Sequence, residues 1–176
     1  STGYGFVNRA ATGTSASTLC TISNMTINIT STSGHQSILN DLNSYTLLKN
    51  NTIYSATTSD VLFHNTSGTL VSYNDTLKSS QAILGVLYKY TVFGSGDVEV
   101  EVFGRSDITS FPTWSDANGQ DDIKWYGATD YKNSLGTYKF ARIYASNHNN
   151  EKGTLYHTHI YAGSTFVYGF DYTMPA

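Results

Sequence analysis

Short apolar–polar alternations recur about every ten residues along this chain, and most are closed by glycine, asparagine or aspartate. That spacing suits strands and leaves little room for long helices. The cleanest run is Val98–Phe103, with Val98, Val100 and Val102 on one face and Glu99 and Glu101 on the other. Further strands are expected at residues 19–30, 52–56, 61–64, 69–73, 82–93, 123–128, 138–145, 155–162 and 165–172. Gly94-Ser95-Gly96-Asp97 is the strongest turn signal, and Ala117-Asn118-Gly119, residues 133–136, residues 147–153 and Ala162-Gly163 mark others. Asn65-Thr66-Ser67-Gly68 supplies another turn, and Gly85 breaks or bulges the 82–93 run. One segment competes: residues 37–49 place Ile38, Leu39, Leu42 and Tyr45 on a helical face behind a capping Ser37, although a loop and a strand fit it too. Residues 1–18 read as an irregular lead-in. The pattern predicts an all-β chain, an antiparallel β-sandwich with an Ig-like C-terminal unit and room for a second β unit before it. The boundary is expected near the Gly94–Asp97 turn, giving residues 1–95 and 96–176, and no repeat links the two halves.

Composition narrows the setting. Charged residues are 13% of the chain, so its wet surface must come from Ser, Thr, Asn and Gly. Tyr occurs 14 times and Phe 8 times, which favours strands. Ten Lys and Arg against 13 Asp and Glu leave a net charge of −3, too few cations to grip nucleic acid. The most apolar run, residues 82–87, is too short to cross a bilayer and lies between Lys78 and Lys89. Cys20 stands alone and cannot form an internal disulfide. Ser1 opens a polar stretch without a leader-like core, as expected of a mature chain or excised fragment. Sequons occur at Asn24, Asn28, Asn50, Asn65 and Asn74, a number that high Ser and Thr content produces largely by chance.

The second half carries a specific run. Phe111-Pro112-Thr113-Trp114-Ser115-Asp116-Ala117-Asn118-Gly119-Gln120-Asp121-Asp122-Ile123-Lys124-Trp125-Tyr126 is followed by Gly136-Thr137-Tyr138, by Ser146 to Gly153, and by Tyr156-His157-Thr158-His159-Ile160-Tyr161. This resembles the Bsp-like repeat family first described in group B streptococcus, over residues 97–162. The resemblance implies an extracellular, Ig-like β module that accompanies a catalytic domain, in surface proteins and peptidoglycan hydrolases of Gram-positive bacteria and their phages, with a wall-binding role. It carries over no catalytic residue.

Several groups could carry chemistry. Trp114 and Tyr126 could stack on sugar rings while His148, Tyr156, His157 and His159 meet hydroxyls. Within Ile123-Lys124-Trp125-Tyr126, Trp125 is expected in the core beside Ile123, with Tyr126 outward; Trp114 is open to either reading. His157 and His159 share a strand face and could chelate zinc if His148 joined them, or serve only as polar surface residues. Asp116, Asn118, Asp121 and Asp122 form an oxygen-rich loop that is either a Ca²⁺ site or a turn bonded to its own backbone. Glu99 and Glu101 lie about 7 Å apart on one strand face, compatible with a glycosidase pair but more simply a solvated face. No nucleophile elbow or phosphate loop is present.

The expected function is non-catalytic binding of cell-wall polysaccharide or peptidoglycan at the cell surface, with no cofactor beyond the Ca²⁺ candidate. The alternatives are a receptor-binding domain of a phage tail or fibre, trimeric and on the virion surface; a spacer; and a glycan hydrolase.

Overall fold

A computed structural model describes residues 4–9, 19–29, 36–41, 45–55, 61–65, 69–78, 85–133 and 136–176. The described residues are almost entirely strand, with one 3₁₀ turn at Ala145–His148, so the all-β expectation holds. The chain divides into two compact units: residues 1–89, 102–105 and 132–138 form the first, and residues 90–101, 106–131 and 139–176 the second.

The first unit is a coil of parallel strands. Its strands are β1 (Tyr4–Arg9), β2 (Leu19–Ser23), β3 (Thr26–Ile29), β4 (Gln36–Asp41), β5 (Tyr45–Lys49), β6 (Thr52–Ser55), β7 (Val61–Asn65), β8 (Thr69–Tyr73) and β9 (Thr76–Lys78). Each of β1 to β6 pairs with the strand three later, in three separate ladders: β1-β4-β7, β2-β5-β8 and β3-β6-β9. The corner between the second and third faces recurs in sequence as Asn24-Met25-Thr26-Ile27, Asn50-Asn51-Thr52-Ile53 and Asn74-Asp75-Thr76-Leu77. The three asparagines adopt φ of 56°, 56° and 54°, the left-handed conformation that Asn tolerates best among residues with a side chain. Three of the five sequons therefore mark corners, and the Thr of each opens the next strand.

Polar groups tie the corners together. Asn51 Nδ2 donates to Ile22 O (3.0 Å) and to Asp75 Oδ1 (2.8 Å), and Asn51 Oδ1 accepts from the Met25 N–H (3.1 Å). Asp75 also accepts from the Asn51 N–H (2.9 Å) and the Ser72 hydroxyl (2.7 Å). Burial dominates at Asp75 and raises its pKa despite these donors. Inside the coil, Ile22, Leu48, Ile53 and Leu77 pack with Leu87, Phe103 and Tyr138. Gly104, at φ +69°, closes over the last corner: a Cβ there would lie 2.8 Å from Leu77 Cγ.

The helical alternative for residues 37–49 is overturned, because both flanks are strand; residues 42–44 lie outside the described set. Ladder pairing on both sides of β4 and β5 outweighs a weak local helical pattern. The single run expected at residues 19–30 is two strands separated by the Asn24 corner. The lead-in contains β1, while residues 10–18, the 66–68 turn and residues 82–84 lie outside the described set.

The second unit is a two-sheet sandwich. One sheet takes in, side by side, β10 (Val86–Val92), β11 (Val98–Phe103), β15 (Gly136–Ile143) and β14 (Thr129–Asn133) through their residues in this unit. The other has the order β13 (Lys124–Gly127), β12 (Ser110–Ser115), β16 (Leu155–Ala162) and β17 (Thr165–Thr173), antiparallel throughout. Tyr90 of β10 stacks on Phe170 (5.1 Å) and packs at a tilt against Tyr172 (5.4 Å) of β17 between the sheets. Phe111, Tyr156, Ile160 and Val100 fill the rest of that core. Its buried hydroxyls are paired: Thr113 and Thr158 lie 2.9 Å apart, and Thr158 is 3.3 Å from the Tyr172 hydroxyl. The Gly94–Asp97 signal is the β10–β11 hairpin, with Phe93 N–H bonded to Asp97 O at 2.9 Å.

Candidate binding face

Strand register on the β13-β12-β16-β17 sheet decides which rings meet water. Along β16, Tyr156, Thr158 and Ile160 are buried, so His157, His159 and Tyr161 face outward. Trp114 pairs with His157 across β12 and β16, and Phe111 pairs with Tyr126 across β12 and β13. Because Phe111 is a core residue, Tyr126 points inward with it and Trp125 points outward.

This reverses the expectation for β13. Trp125 is 57% exposed with Ile123 beside it, and Tyr126 is 9% exposed. The two residues that share a face do so as expected. Alternation gives that grouping but not which group faces the core; the Phe111 partner supplies the missing parity.

On β17 a one-residue bulge completes the outer face. Ile160 pairs with Tyr168, but the next pair is Tyr161 with Phe166, which leaves Val167 unmatched and buried. Without the bulge, Phe166 would point the same way as Tyr168, toward the core; with it, Phe166 stands outward, 47% exposed.

The outer rings form a continuous set. Trp125 lies 5.2 Å from Tyr161 at 57°, and Tyr161 lies 5.9 Å from Phe166 at 76°. His159 contacts Phe166 (4.9 Å), Tyr161 (6.4 Å) and Trp114 (4.8 Å), and Trp114 stacks on His157 at 5.1 Å. Trp114 is therefore covered by the two imidazoles. At that end His157 Nδ1 is 2.8 Å from Asp171 Oδ1, and its Nε2 is 3.7 Å from Asp116 Oδ1. Burial first, then the neighbouring His157, lowers the His159 pKa.

Tyr126, His148 and Tyr156 do not join this face. Asp122 Oδ2 is 3.0 Å from His148 Nδ1, and His148 Nε2 is 2.8 Å from the Tyr126 hydroxyl, which also accepts from Asn147 Nδ2 at 3.2 Å. The Tyr156 hydroxyl donates to Glu151 O at 3.0 Å. His148 and Tyr156 are fully buried. Burial pushes the Tyr156 hydroxyl up to about 12, with Asp122 and Glu151 adding to it, and raises Tyr126 as well. At Asp122 burial acts upward, but bonds from the Ser115 N–H and hydroxyl and from His148 outweigh it and lower the pKa. As an ionised carboxylate it accepts only, so His148 carries its proton on Nδ1. The chain locks the 122–126 and 145–151 segments together from within.

Both His148 nitrogens are thus engaged inside the sandwich, and it is no third ligand to His157 and His159. Asp122 of the oxygen-rich loop is committed to Ser115 and His148, whereas Asp116, Asn118 and Asp121 are exposed. Among the described residues, no three His, Cys, Asp or Glu side chains gather at metal-binding distance. The Glu99–Glu101 face is not simply solvated: Glu99 is 3.3 Å from Arg142, which also reaches Asp97, and Glu101 is buried.

Residues 93–167 match the family model of the GBS Bsp-like repeat. The matched stretch contains every ring of the outer face, from Trp114 to Phe166. Bsp-like repeats occur in surface proteins. No curated protein and no solved structure matches the chain. No helix among the described residues is long and apolar enough to cross a membrane. Trp125, Tyr161 and Phe166 escaped the sequence reading of the site; the usable signal was odd-position spacing from His157 through His159 to Tyr161, which assigns Tyr161 to the same face.

Proposed function

We propose that the Bsp-like stretch, completed by β17, is a non-catalytic module that holds cell-wall polysaccharide or peptidoglycan outside the cell, accessory to a surface protein or wall hydrolase. The outer row Trp125–Tyr161–Phe166, exposed at both ends and half-buried at Tyr161, carries this reading. Large rings left contiguous on a sheet face are costly in water and match the apolar C–H faces of sugars. The imidazoles and carboxylates at the Trp114 end supply hydrogen bonds for hydroxyls, the mixed chemistry of binding sites.

Retention of the full chain on purified Gram-positive wall sacculi tests the reading. Wild type is retained, and Trp125→Ala with Phe166→Ala weakens retention about tenfold or more while the circular dichroism stays unchanged. Unchanged retention in the double variant, or none in the wild type, removes the proposal.

For the first unit the spacer alternative is favoured. Its described corners are sealed by their own hydrogen bonds, and its exposed residues among those described are chiefly Thr, Asn, Met25 and Lys49, the last over the Tyr73 ring at 5.6 Å. Stacked rungs extend by addition of further rungs, which suits a stalk.

A further inference from the structure

The outer face also constrains the ligand, on the condition that it is a glycan site. We infer that it takes a single uncharged glycan chain bearing acetamido groups, rather than an ordered polymer surface or an anionic polymer.

The first constraint is ring tilt. Neighbouring rings meet at 57° (Trp125 and Tyr161), 76° (Tyr161 and Phe166) and 72° (His159 and Phe166). His159 and Tyr161 differ by only 30°, but a flat crystalline face lying against them cannot also lie against Trp125 or Phe166. A single chain, turning its C–H faces and its methyl groups into angled walls, can touch several. Gly169 lies beneath these rings: a Cβ there would come within 2.7 Å of His159 Cδ2, so glycine lets that imidazole settle against β17 and fixes the tilt.

The second constraint is the sign of the polar groups. The Asp116 and Asp171 side chains are 61% and 58% exposed on either side of His157. Their oxygens offer acceptor sites to the outside, which a ligand that brings donors satisfies. Sugar hydroxyls and an acetamido N–H do so, and the acetamido methyl belongs against Trp125 or Tyr161. Phosphate and uronate polymers bring like charge instead. Lys124 is the one Lys or Arg among the residues of β12, β13, β16 and β17, too little to offset two carboxylates.

Four probes separate the outcomes, each titrated against the full chain: soluble N-acetylchitotetraose, cellotetraose, crystalline chitin and poly(glycerol phosphate). The acetylated tetraose is expected to bind at least about tenfold tighter than the other three, and Trp125→Ala to weaken it about tenfold. Asp171→Asn, which keeps a partner for His157, is expected to weaken it severalfold. Equal binding of cellotetraose overturns the acetamido assignment. Tighter, Trp125-dependent binding of crystalline chitin or of the phosphate polymer overturns the single-neutral-chain inference and leaves the face standing as a binding site. Absence of binding to all four removes the inference, while retention on sacculi decides separately whether the glycan reading survives.

Discussion

The two units use similar residues and solve different problems. In the first, each rung repeats its predecessor, so like residues stack: Ile22 on Leu48, and Ile27 on Ile53 on Leu77. Its described corners turn at Asn24, Asn50 and Asn74, which bend the chain onward without reversing it, and the strands return in parallel. In the second, reversals are made at glycines such as Gly96 (φ +85°) and Gly163 (φ +61°), strands run antiparallel, and no position repeats. One consequence is where rings end up. Repetition stacks like positions and buries most of the described apolar residues, Met25 excepted, whereas hairpins and a bulge leave one face free to vary, and that face holds the exposed Trp125 and Phe166. A left-handed asparagine after a short strand and a left-handed glycine between two strands are the local choices that separate these outcomes.

The largest expected effects come from breaking each interior. Leu48 sits fully buried in the middle rung, so Leu48→Ala is expected to cost about 3 kcal/mol in denaturant unfolding followed by far-UV circular dichroism. A change below about 1 kcal/mol would show that the coil does not depend on its stacked apolar column. In the sandwich, His148→Ala takes one buried hydrogen-bond partner from both the Asp122 carboxylate and the Tyr126 hydroxyl, and should cost about 2 kcal/mol in the same measurement. Tyr126→Phe, which removes one hydroxyl but keeps the ring, is expected to cost less than His148→Ala. The reverse order would mean that ring packing, not the Asp122–His148–Tyr126 chain, holds the segments together.

How much of this was legible depends on which physical rule wrote each feature. Strand alternation is local, so most strand positions could be read directly, as at Val98–Phe103. Strand partners are not local: no single strand between residues 19 and 78 says whether the next returns beside the last or three strands on. The corner motif does say so, since Asn followed two residues later by Thr and then by Ile or Leu recurs at 26- and 24-residue steps. Read singly, the same residues were only sequons. Parity on β13 was hidden for another reason. Ile123 and Trp125 are the apolar pair, and the usual hydrophobic rule sends them inward, but the outer face is where this sheet departs from that rule. The Val167 bulge has no signature in the sequence at all, and with it went Phe166.

A smaller effect sharpens the role of the outer face. Gly169→Ala places a methyl where His159 Cδ2 already lies, forcing the imidazole off β17. A destabilisation of about 1 kcal/mol is expected, because an overpacked surface site relaxes more easily than a core. The accompanying signal is a shift of the His159 imidazole resonances with those of Leu48 methyls unmoved. If His159 does not respond, the glycine is not what seats it.

The smallest expected effects have opposite signs in the two units. At Asp75 burial raises the folded-state pKa above the ordinary carboxyl value of 3.8, so the folded chain holds that proton more tightly than the unfolded one. Its contribution to stability is full below the unfolded pKa and is lost as pH rises through the folded value. At His159 burial lowers the folded-state pKa below 6.5, so the folded chain holds that proton less tightly. Its contribution is full above 6.5 and is lost as pH falls toward the folded value. Acidification from pH 7 to pH 4.5 therefore favours folding at the Asp75 corner and opposes it at His159. The measurement is the difference in unfolding midpoint between wild type and each single variant across that range. Asp75→Asn, which puts at this corner the residue already present at Asn51, should lose relative to wild type as pH falls, and His159→Gln should gain. Parallel pH profiles for Asp75→Asn and wild type would mean that the Ser72 and Asn51 donors cancel the burial of that carboxyl, and that the corner is held by hydrogen bonds indifferent to its charge.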